Sequence, residues 1–162
     1  MRMIFLSFGL LTAGCTAVPA TFEPPGVLIV PDYVAPEALR LSATTVRALP
    51  APEADQGVAV DERYIYPIDN TVIAKYERAT GRLVARWVSP KDGLIRHLNS
   101  CFSEVGKLWC ANSNYSQTPH GSSVEIFDAT RMTHIDSHSL GMTEEGSLTW
   151  FDHYRGGWIA GF

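Results

Sequence analysis

Four polar side chains in the middle of the chain are of types that line ligand sites. His97 and Asn99 flank Leu98, and Asn112 and Asn114 follow further along the chain. Imidazole nitrogens bind divalent metals, and amide groups exchange hydrogen bonds with hydroxyl groups. Antiparallel pairing of the two strands would bring both groups of side chains to the same end of a sheet. These residues therefore predict a polar site for a metal ion or a sugar-like ligand. The alternative is that they only tie neighbouring strands together, because buried polar groups need hydrogen-bond partners in any case.

A further candidate is His120, in the segment with the sequence YSQTPHG at residues 115–121. Its length and its proline and glycine predict a loop between two strands. Long loops on rigid scaffolds often carry function, so His120 joins the candidate binding residues. A plain surface insertion is the competing interpretation.

His134, Asp136 and His138 alternate along one predicted strand, and their side-chain types suit zinc. The two histidines would lie about 13 Å apart at the rise of a strand, which is too far to share one ion. A solvated outer strand is the favoured interpretation. The chain also lacks the sequence motifs of serine hydrolases, phosphate-binding loops and zinc proteases. The sequence motifs alone do not decide whether the protein is an enzyme.

Short β-strands must position these side chains, and their pattern occurs twice and begins a third time. Residues 73–77 and the turn after them, 79–81, have a counterpart in residues 124–128 and 129–131. A repeat of about 40 to 50 residues with four short strands is typical of a β-propeller blade. We therefore expect an all-β fold, an incomplete β-propeller over residues 56–162. The predicted strands cover residues 57–60, 64–68, 72–77 and 83–88 in blade one, 98–103, 107–111, 123–127 and 133–139 in blade two, and 147–151 and 158–162 in blade three.

The predicted repeat leaves strand edges that have no pairing partner within the repeat. A propeller closes with four or more blades, and the chain supplies about two and a half. Three interpretations stay open: the sequence is a fragment of a longer product, several chains complete a ring, or the product is truncated and without function. We expect Trp109, Trp150 and Trp158 to fill the space between blades.

The register of one hairpin follows from its turn. If Val105 and Gly106 form a tight turn between strands, Cys101 faces Cys110 in the closer, non-hydrogen-bonded type of pair. The Cα atoms of such a pair lie about 4.5 Å apart, near the short end of disulfide geometry. A cross-strand disulfide and two buried thiols are both compatible with this spacing.

Composition limits the class of protein. With 162 residues and 46% hydrophobic residues, the chain can bury one ordinary core. The formal charge of -4 is spread without a basic run, so we expect no nucleic-acid partner. Prolines are frequent in residues 16–55, which predicts a semi-extended tether ahead of the strands.

The N-terminus has the pattern of a signal peptide over residues 1–15, with a charged start and a short apolar stretch. Its end, Leu11-Thr12-Ala13-Gly14-Cys15, resembles the lipobox of bacterial lipoproteins. The resemblance implies export, a lipid on Cys15 and attachment to a membrane of the cell envelope. The alternative is a secreted protein that is cleaved after Ala20.

The strand region also resembles a known group of proteins. The residues that carry the likeness lie at 56–61, 97–100, 113–115, 122–126 and 146–150. They are similar to exported bacterial β-propellers related to the quinoprotein-dehydrogenase-like and YVTN-repeat propellers, of which this chain resembles roughly the N-terminal half. The resemblance implies the fold but no cofactor-binding residue, and family members often carry loose labels such as cycloisomerase. Where the family usually has glycine after His-Leu-Asn-Ser, this chain has Cys101.

Two functions are expected from these observations. The first is a binding module of the cell envelope that holds a protein or a glycan through one face. The second is an enzyme similar to metal-dependent lactonases, hydrolases or cycloisomerases, acting on a sugar-acid-like molecule with His97 and Asn99 beside a divalent metal. No other cofactor is evident.

Overall fold

The computed structural model describes Val34 and residues 37–144 and 146–162, in a chain that divides into two units. The first unit comprises residues 1–44, and its described residues, Val34 and 37–44, belong to no helix or strand. The second unit, residues 45–162, contains all the strands described below. The described residues include no helix with the length and hydropathy of a membrane-spanning segment. Residues 1–15 and Cys15 itself lie outside the described part.

Blade one is a four-stranded antiparallel sheet in which each strand pairs with the next. Its strands are β1 (Gly57–Val60), β2 (Tyr64–Asp69), β3 (Val72–Glu77) and β4 (Leu83–Val88). The first turn forms because the Asp61 carboxylate accepts the backbone N–H groups of the two residues that lead into β2. Three of the four strands have the bounds predicted from sequence, and β2 runs one residue further.

Blade two repeats this order with longer strands. They are β5 (His97–Glu104), β6 (Lys107–Ser113), β7 (His120–Asp128) and β8 (Thr133–Thr143). The predicted place of His120 in a loop is wrong, because β8 is longer than expected and pairs as far as the start of β7, with Thr143 opposite His120. His120 is therefore the first residue of a strand.

Blade three is a two-stranded hairpin within the described residues, formed by β9 (Trp150–Tyr154) and β10 (Gly157–Gly161). The predicted first strand begins at residue 147, which is three residues early. The backbone carbonyls of Leu148 and Thr149 accept side-chain hydrogen bonds from β5, although the Thr149 N–H still donates to the Gly161 carbonyl of β10. The segment before β9 is therefore held against blade two.

The inner strands of the three sheets follow one another in space, since β5 lies beside both β1 and β9. The sheets are antiparallel, have no closed barrel and contain no helix among the described residues. The prediction of an all-β, incomplete propeller-like fold is confirmed. The successive sheets create two interfaces, which we call the closed interface, between blades one and two, and the open interface, between blade two and the β9–β10 hairpin.

The closed interface contains the main core. Tyr66, Ile68 and Ile73 of blade one pack against Leu108 and Phe127 of blade two, and all five are essentially inaccessible to water. Such an interface is stabilised mainly by the burial of apolar area, at about 25 cal/mol per Å².

The open interface contains a smaller core. Ala111 and Val124 of blade two pack against Leu148 and Phe151, and Phe102 and Trp109 cover the same cluster from one side. The ring of Phe102 lies edge-on to Phe151, with centroids 5.3 Å apart. The hairpin is thus docked on blade two by aromatic contacts.

The inner hairpin of blade two has the predicted register, with Cys101 opposite Cys110. The two cysteines are joined in a disulfide, and their Cα atoms lie 4.0 Å apart. Just before it, β5 has an irregularity between Leu98 and Cys101 that leaves Asn99 and Ser100 out of the pairing with β6. This bulge frees both side chains to reach the segment ahead of β9.

Candidate functional site

The structure brings the ends of β5 and β6 together as the sequence predicts, and Asn112 connects them. Its side-chain oxygen accepts the backbone N–H groups of Arg96 and His97, both at 3.2 Å, and its NH2 group donates to Ser123 Oγ at 2.9 Å. Asn112 is buried. Its amide therefore has both ends engaged within the protein.

The other predicted binding residues also have protein partners. Asn99 donates to the Leu148 carbonyl at 2.7 Å, and Asn114 accepts the Gly121 N–H at 2.8 Å and donates to the Pro119 carbonyl at 3.1 Å. The ring of His97 lies 5.0 Å from that of Tyr115, and His120 Nδ1 is 3.2 Å from Ser147 Oγ. These side chains point to several places and do not converge on one cavity. The described residues include no group of three side chains arranged to hold a metal ion.

The histidines of β8 are far from a zinc arrangement. His134 Nε2 lies 2.7 Å from a carboxylate oxygen of Glu125, whereas His138 Nε2 lies 3.8 Å from Asp136 on the exposed side of the strand. The two histidines thus have separate partners, as the distance along the strand indicated.

A polar cleft of about 290 Å³ adjoins Asn112 and Asn114. At its base the buried Glu125 accepts hydrogen bonds from Ser123 Oγ at 2.5 Å and Ser137 Oγ at 3.0 Å. Both serines donate to the carboxylate and neither is bonded to a histidine. A serine nucleophile needs a base that takes its proton, so this arrangement is a hydrogen-bond network and not an activated nucleophile.

A larger, apolar groove occupies the open interface. Its volume is about 470 Å³, and it lies between the outer strands of blade two and the free side of the β9–β10 hairpin. We call it the blade-three groove. Its lining residues are Trp109, Val124, His138, Leu140, Phe151, Trp158 and Ala160.

The rim of the groove is an open strand edge. In the described part of the chain β10 pairs only with β9, with Gly157 opposite Tyr154 next to the turn. Hydrogen-bonded and non-hydrogen-bonded pairs alternate in an antiparallel ladder, and the pair next to a tight turn is hydrogen-bonded. The backbone N–H and C=O groups of Trp158 and Ala160 therefore point away from β9, to the free edge.

The register of blade two identifies what usually fills this position. Counted from the turns, Trp158 and Ala160 have the places that Leu108 and Cys110 have in blade two. Leu108 is fully buried because Phe127 on β7 lies opposite it, whereas Trp158 is 53% exposed. The groove is thus the space that a third strand fills in blade two.

Sequence reasoning missed the groove, although it predicted open edges. The predicted last strand of blade two ends before Leu140, and the contact of Trp158 with Trp109, centroids 5.3 Å apart, depends on how two sheets dock. The sequence contained one signal for the groove. Trp158 and Ala160 alternate along the predicted last strand at the repeat positions that face the neighbouring blade.

Blade one has two charged side chains with shifted pKa values, the buried Lys75 and the half-buried Asp61, and both lie away from the groove. Burial alone would raise the pKa of Asp61, but the Tyr66 hydroxyl and two backbone N–H groups hold that pKa below its usual value. Burial also lowers the pKa of Lys75. The Lys75 ammonium donates to the Ala129 carbonyl at 2.7 Å and lies 4.0 Å from the centre of the Tyr64 ring, so it spans the closed interface.

No protein-family model matches the chain, and no curated protein matches it significantly. Among solved structures, the computationally designed Ika4 protein is similar at a TM-score of 0.40 and 10% sequence identity, over 74% of this chain and 92% of that one. A likeness at that score carries no argument about function.

Proposed function

We propose that this protein is an exported, lipid-anchored binding module of the cell envelope, and that its blade-three groove binds an extended polypeptide strand. The observation that carries the proposal is the contrast between Leu108, which is fully buried under a third strand, and Trp158, which is 53% exposed in the same place.

Two features of the groove support a strand as the ligand. The free edge of β10 offers backbone donors and acceptors, and the groove beside it offers apolar surface from Trp109, Val124 and Leu140. A bound strand gains affinity from main-chain hydrogen bonds and specificity from pockets for alternate side chains. The groove and the edge lie side by side, as that mode of binding requires.

The test uses a synthetic peptide with the sequence of β7, His120–Asp128, in which Glu125→Val removes the charge that would enter the groove. Hydrogen exchange of the full chain in detergent is measured by mass spectrometry with and without the peptide. We expect exchange in β10 to slow by about tenfold or more at saturation, because new hydrogen bonds protect the Trp158 and Ala160 amides.

A matched pair of variants separates binding in the groove from adhesion elsewhere. Trp158→Ala removes a groove wall and is expected to weaken binding about tenfold or more. Trp150→Ala removes the same side chain from the other face of the hairpin, where it is 44% exposed, and is expected to change binding less than about twofold. Equal effects of the two variants would contradict the proposal. Slow hydrogen exchange in β10 without any peptide, if it became slower with increasing protein concentration, would also contradict the proposal. A second copy of the chain would then occupy the groove.

Export and anchoring rest on the sequence of the N-terminus. The apolar stretch and the residues Leu11 to Cys15 support a lipoprotein signal, and the likeness of residues 97–100 supports kinship with exported quinoprotein-dehydrogenase-like and YVTN-repeat propellers. The intact mass of the protein extracted from its own membranes tests the anchor. We expect acyl chains on Cys15 and their loss in Cys15→Ser; an unacylated mature chain that begins after Ala20 would show secretion instead.

A further inference from the structure

The polar cleft beside Asn112 is built without the β9–β10 hairpin. Its walls come from Leu94 in the connection between blades one and two, from the end of β6 and from β7 and β8. At about 290 Å³ it lies near the lower end of the range for small-molecule pockets. Leu94 and Met142 are 88% and 61% exposed, so the cleft is open to solvent.

The base of the cleft is negatively charged. Among the described residues that line it, Glu125 is the one with a charge, and this residue is only 2% exposed. His134 Nε2 lies 2.7 Å from one oxygen of the carboxylate, but His134 is not part of the cleft wall. A charge that is shielded from water attracts an opposite charge more strongly than a solvated one does. The cleft therefore favours a cation.

The hydrogen bonds at the base have one direction. Ser123 and Ser137 both donate their O–H groups to Glu125, because an ionised carboxylate can only accept. The Ser123 oxygen in turn accepts from Asn112. The Ser137 oxygen belongs to an exposed residue of β8 and has no donor to it among the described residues. The base thus offers acceptors to a ligand, which suits the three donors of a primary ammonium group and disfavours a phosphate or a carboxylate.

Two further serines of the cleft have the opposite direction. Ser113 Oγ accepts the backbone N–H of Tyr115 at 3.4 Å, and Ser139 Oγ accepts that of Gly141 at 3.1 Å. Their own O–H groups are therefore available to donate to a ligand oxygen. The cleft combines acceptors beside a buried carboxylate with donors from these two serines.

We propose that the polar cleft binds a small hydroxylated primary amine, with its ammonium group toward Glu125 and Ser137 and its hydroxyl groups toward Ser113 and Ser139. A single amino sugar has this chemistry and a size that suits the cleft. The site is separate from the blade-three groove and does not depend on the binding of a strand there.

The test follows the backbone amide signals of the full chain in detergent by NMR during titration. The probe is glucosamine, and glucose is the matched probe without the ammonium group. We expect saturable shifts at the amides of Ser123 and Ser137, with glucosamine bound about tenfold more tightly than glucose. Equal affinities for the two probes, or shifts confined to other strands, would overturn the proposal.

Three variants assign the binding to the cleft. Glu125→Gln removes the charge with little change in shape and should reduce the affinity for glucosamine to that for glucose. Ser137→Ala removes an acceptor from an exposed position and should weaken glucosamine binding about threefold or more. Thr133→Val, on the same strand but outside the cleft, is the control and should leave binding unchanged. Because Ser137→Ala spares the buried carboxylate, unchanged glucosamine binding in that variant would contradict the proposal even if Glu125→Gln did not fold.

Discussion

Blades one and two meet across a filled interface, whereas blade two and the β9–β10 hairpin meet across a half-filled one. The two interfaces use the same register positions, so their difference does not come from the inner strands. Phe102, Trp109 and Val124 in the open interface correspond to Ala59, Tyr66 and Ile73 in the closed one. The difference lies at the position of the third strand: Leu108 is buried beside β7, whereas its equivalent Trp158 stays half-exposed.

The largest difference is expected between two truncations at equivalent positions. Leu108→Ala leaves a cavity in a closed core and should lower the free energy of unfolding by about 2–5 kcal/mol. Trp158→Ala removes a half-exposed side chain and should cost less than half as much. Chemical denaturation of the two variants and the parent measures both values. Equal losses would mean that the open interface is as well packed as the closed one.

The next largest effect is expected from the disulfide, which links the inner hairpin of blade two and has no counterpart in the β9–β10 hairpin. Cys101 and Cys110 are nine residues apart, whereas the matching pair in blade three is Phe151 and Ala160. Loss of the cross-link in a Cys101→Ala, Cys110→Ala double variant should lower the free energy of unfolding by about 2–3 kcal/mol, because the unfolded chain regains loop entropy. Denaturation of the parent with and without reducing agent is the control. A midpoint that does not move would show that the hairpin is held by its packing alone.

A third prediction concerns the other face of blade one, which is covered by chain ahead of β1. Glu53 is buried there and accepts a hydrogen bond from Tyr76 at 2.8 Å and another from Arg86. Burial would raise the pKa of Glu53, but these two side chains and a backbone N–H outweigh it and hold the pKa below the ordinary 4.5. The folded state therefore binds this proton less readily than the unfolded state.

Because folding lowers this pKa, Glu53 contributes its full stabilisation of the folded state above about pH 4.5. That stabilisation is lost as pH falls through the lowered pKa. Glu53→Gln should cost about 1–2 kcal/mol at neutral pH, and the cost should shrink in acid. Thermal unfolding between neutral pH and pH 3 measures this. A Glu62→Gln variant on the exposed turn of blade one is the control, and an identical pH profile for parent and Glu53→Gln would rule the account out.

The smallest effect is expected at the bulge of β5. Asn99→Ala removes the hydrogen bond to the Leu148 carbonyl and should cost about 1 kcal/mol. Because this bond holds the segment before β9, hydrogen exchange should speed up in the β9–β10 hairpin. Asn114→Ala, which breaks bonds to Pro119 and to Gly121 at the start of β7, should leave the hairpin unchanged. Faster exchange in both variants would point to a general loss of stability.

Blade one was predictable because turn residues mark its strands. Asp61, Asn70 and Gly81 interrupt the alternating pattern where the chain reverses, so the bounds of three strands were found from sequence. Blade two was harder. The end of β8 contains serine, histidine and glycine, and its strand character comes from pairing with β7 and not from its own pattern.

The candidate site was predicted only in part. The meeting of His97 with Asn112 followed from the antiparallel order of β5 and β6. The blade-three groove did not, because its walls come from five strands whose spacing depends on the docking of one sheet on another. Alternation along a single strand contains no information on that distance.

The placement of Lys75 makes its amine a natural reporter of the closed interface. The side chain is 5% exposed and is covered by blade two, while Lys91 and Lys107 are open to solvent. An acylating reagent that reaches an amine only from water should label the two open lysines at once and Lys75 only when the blades separate. The rate of acylation at Lys75 would then measure how often the two blades separate in the folded protein. No added probe is needed, because the lysine is part of the chain.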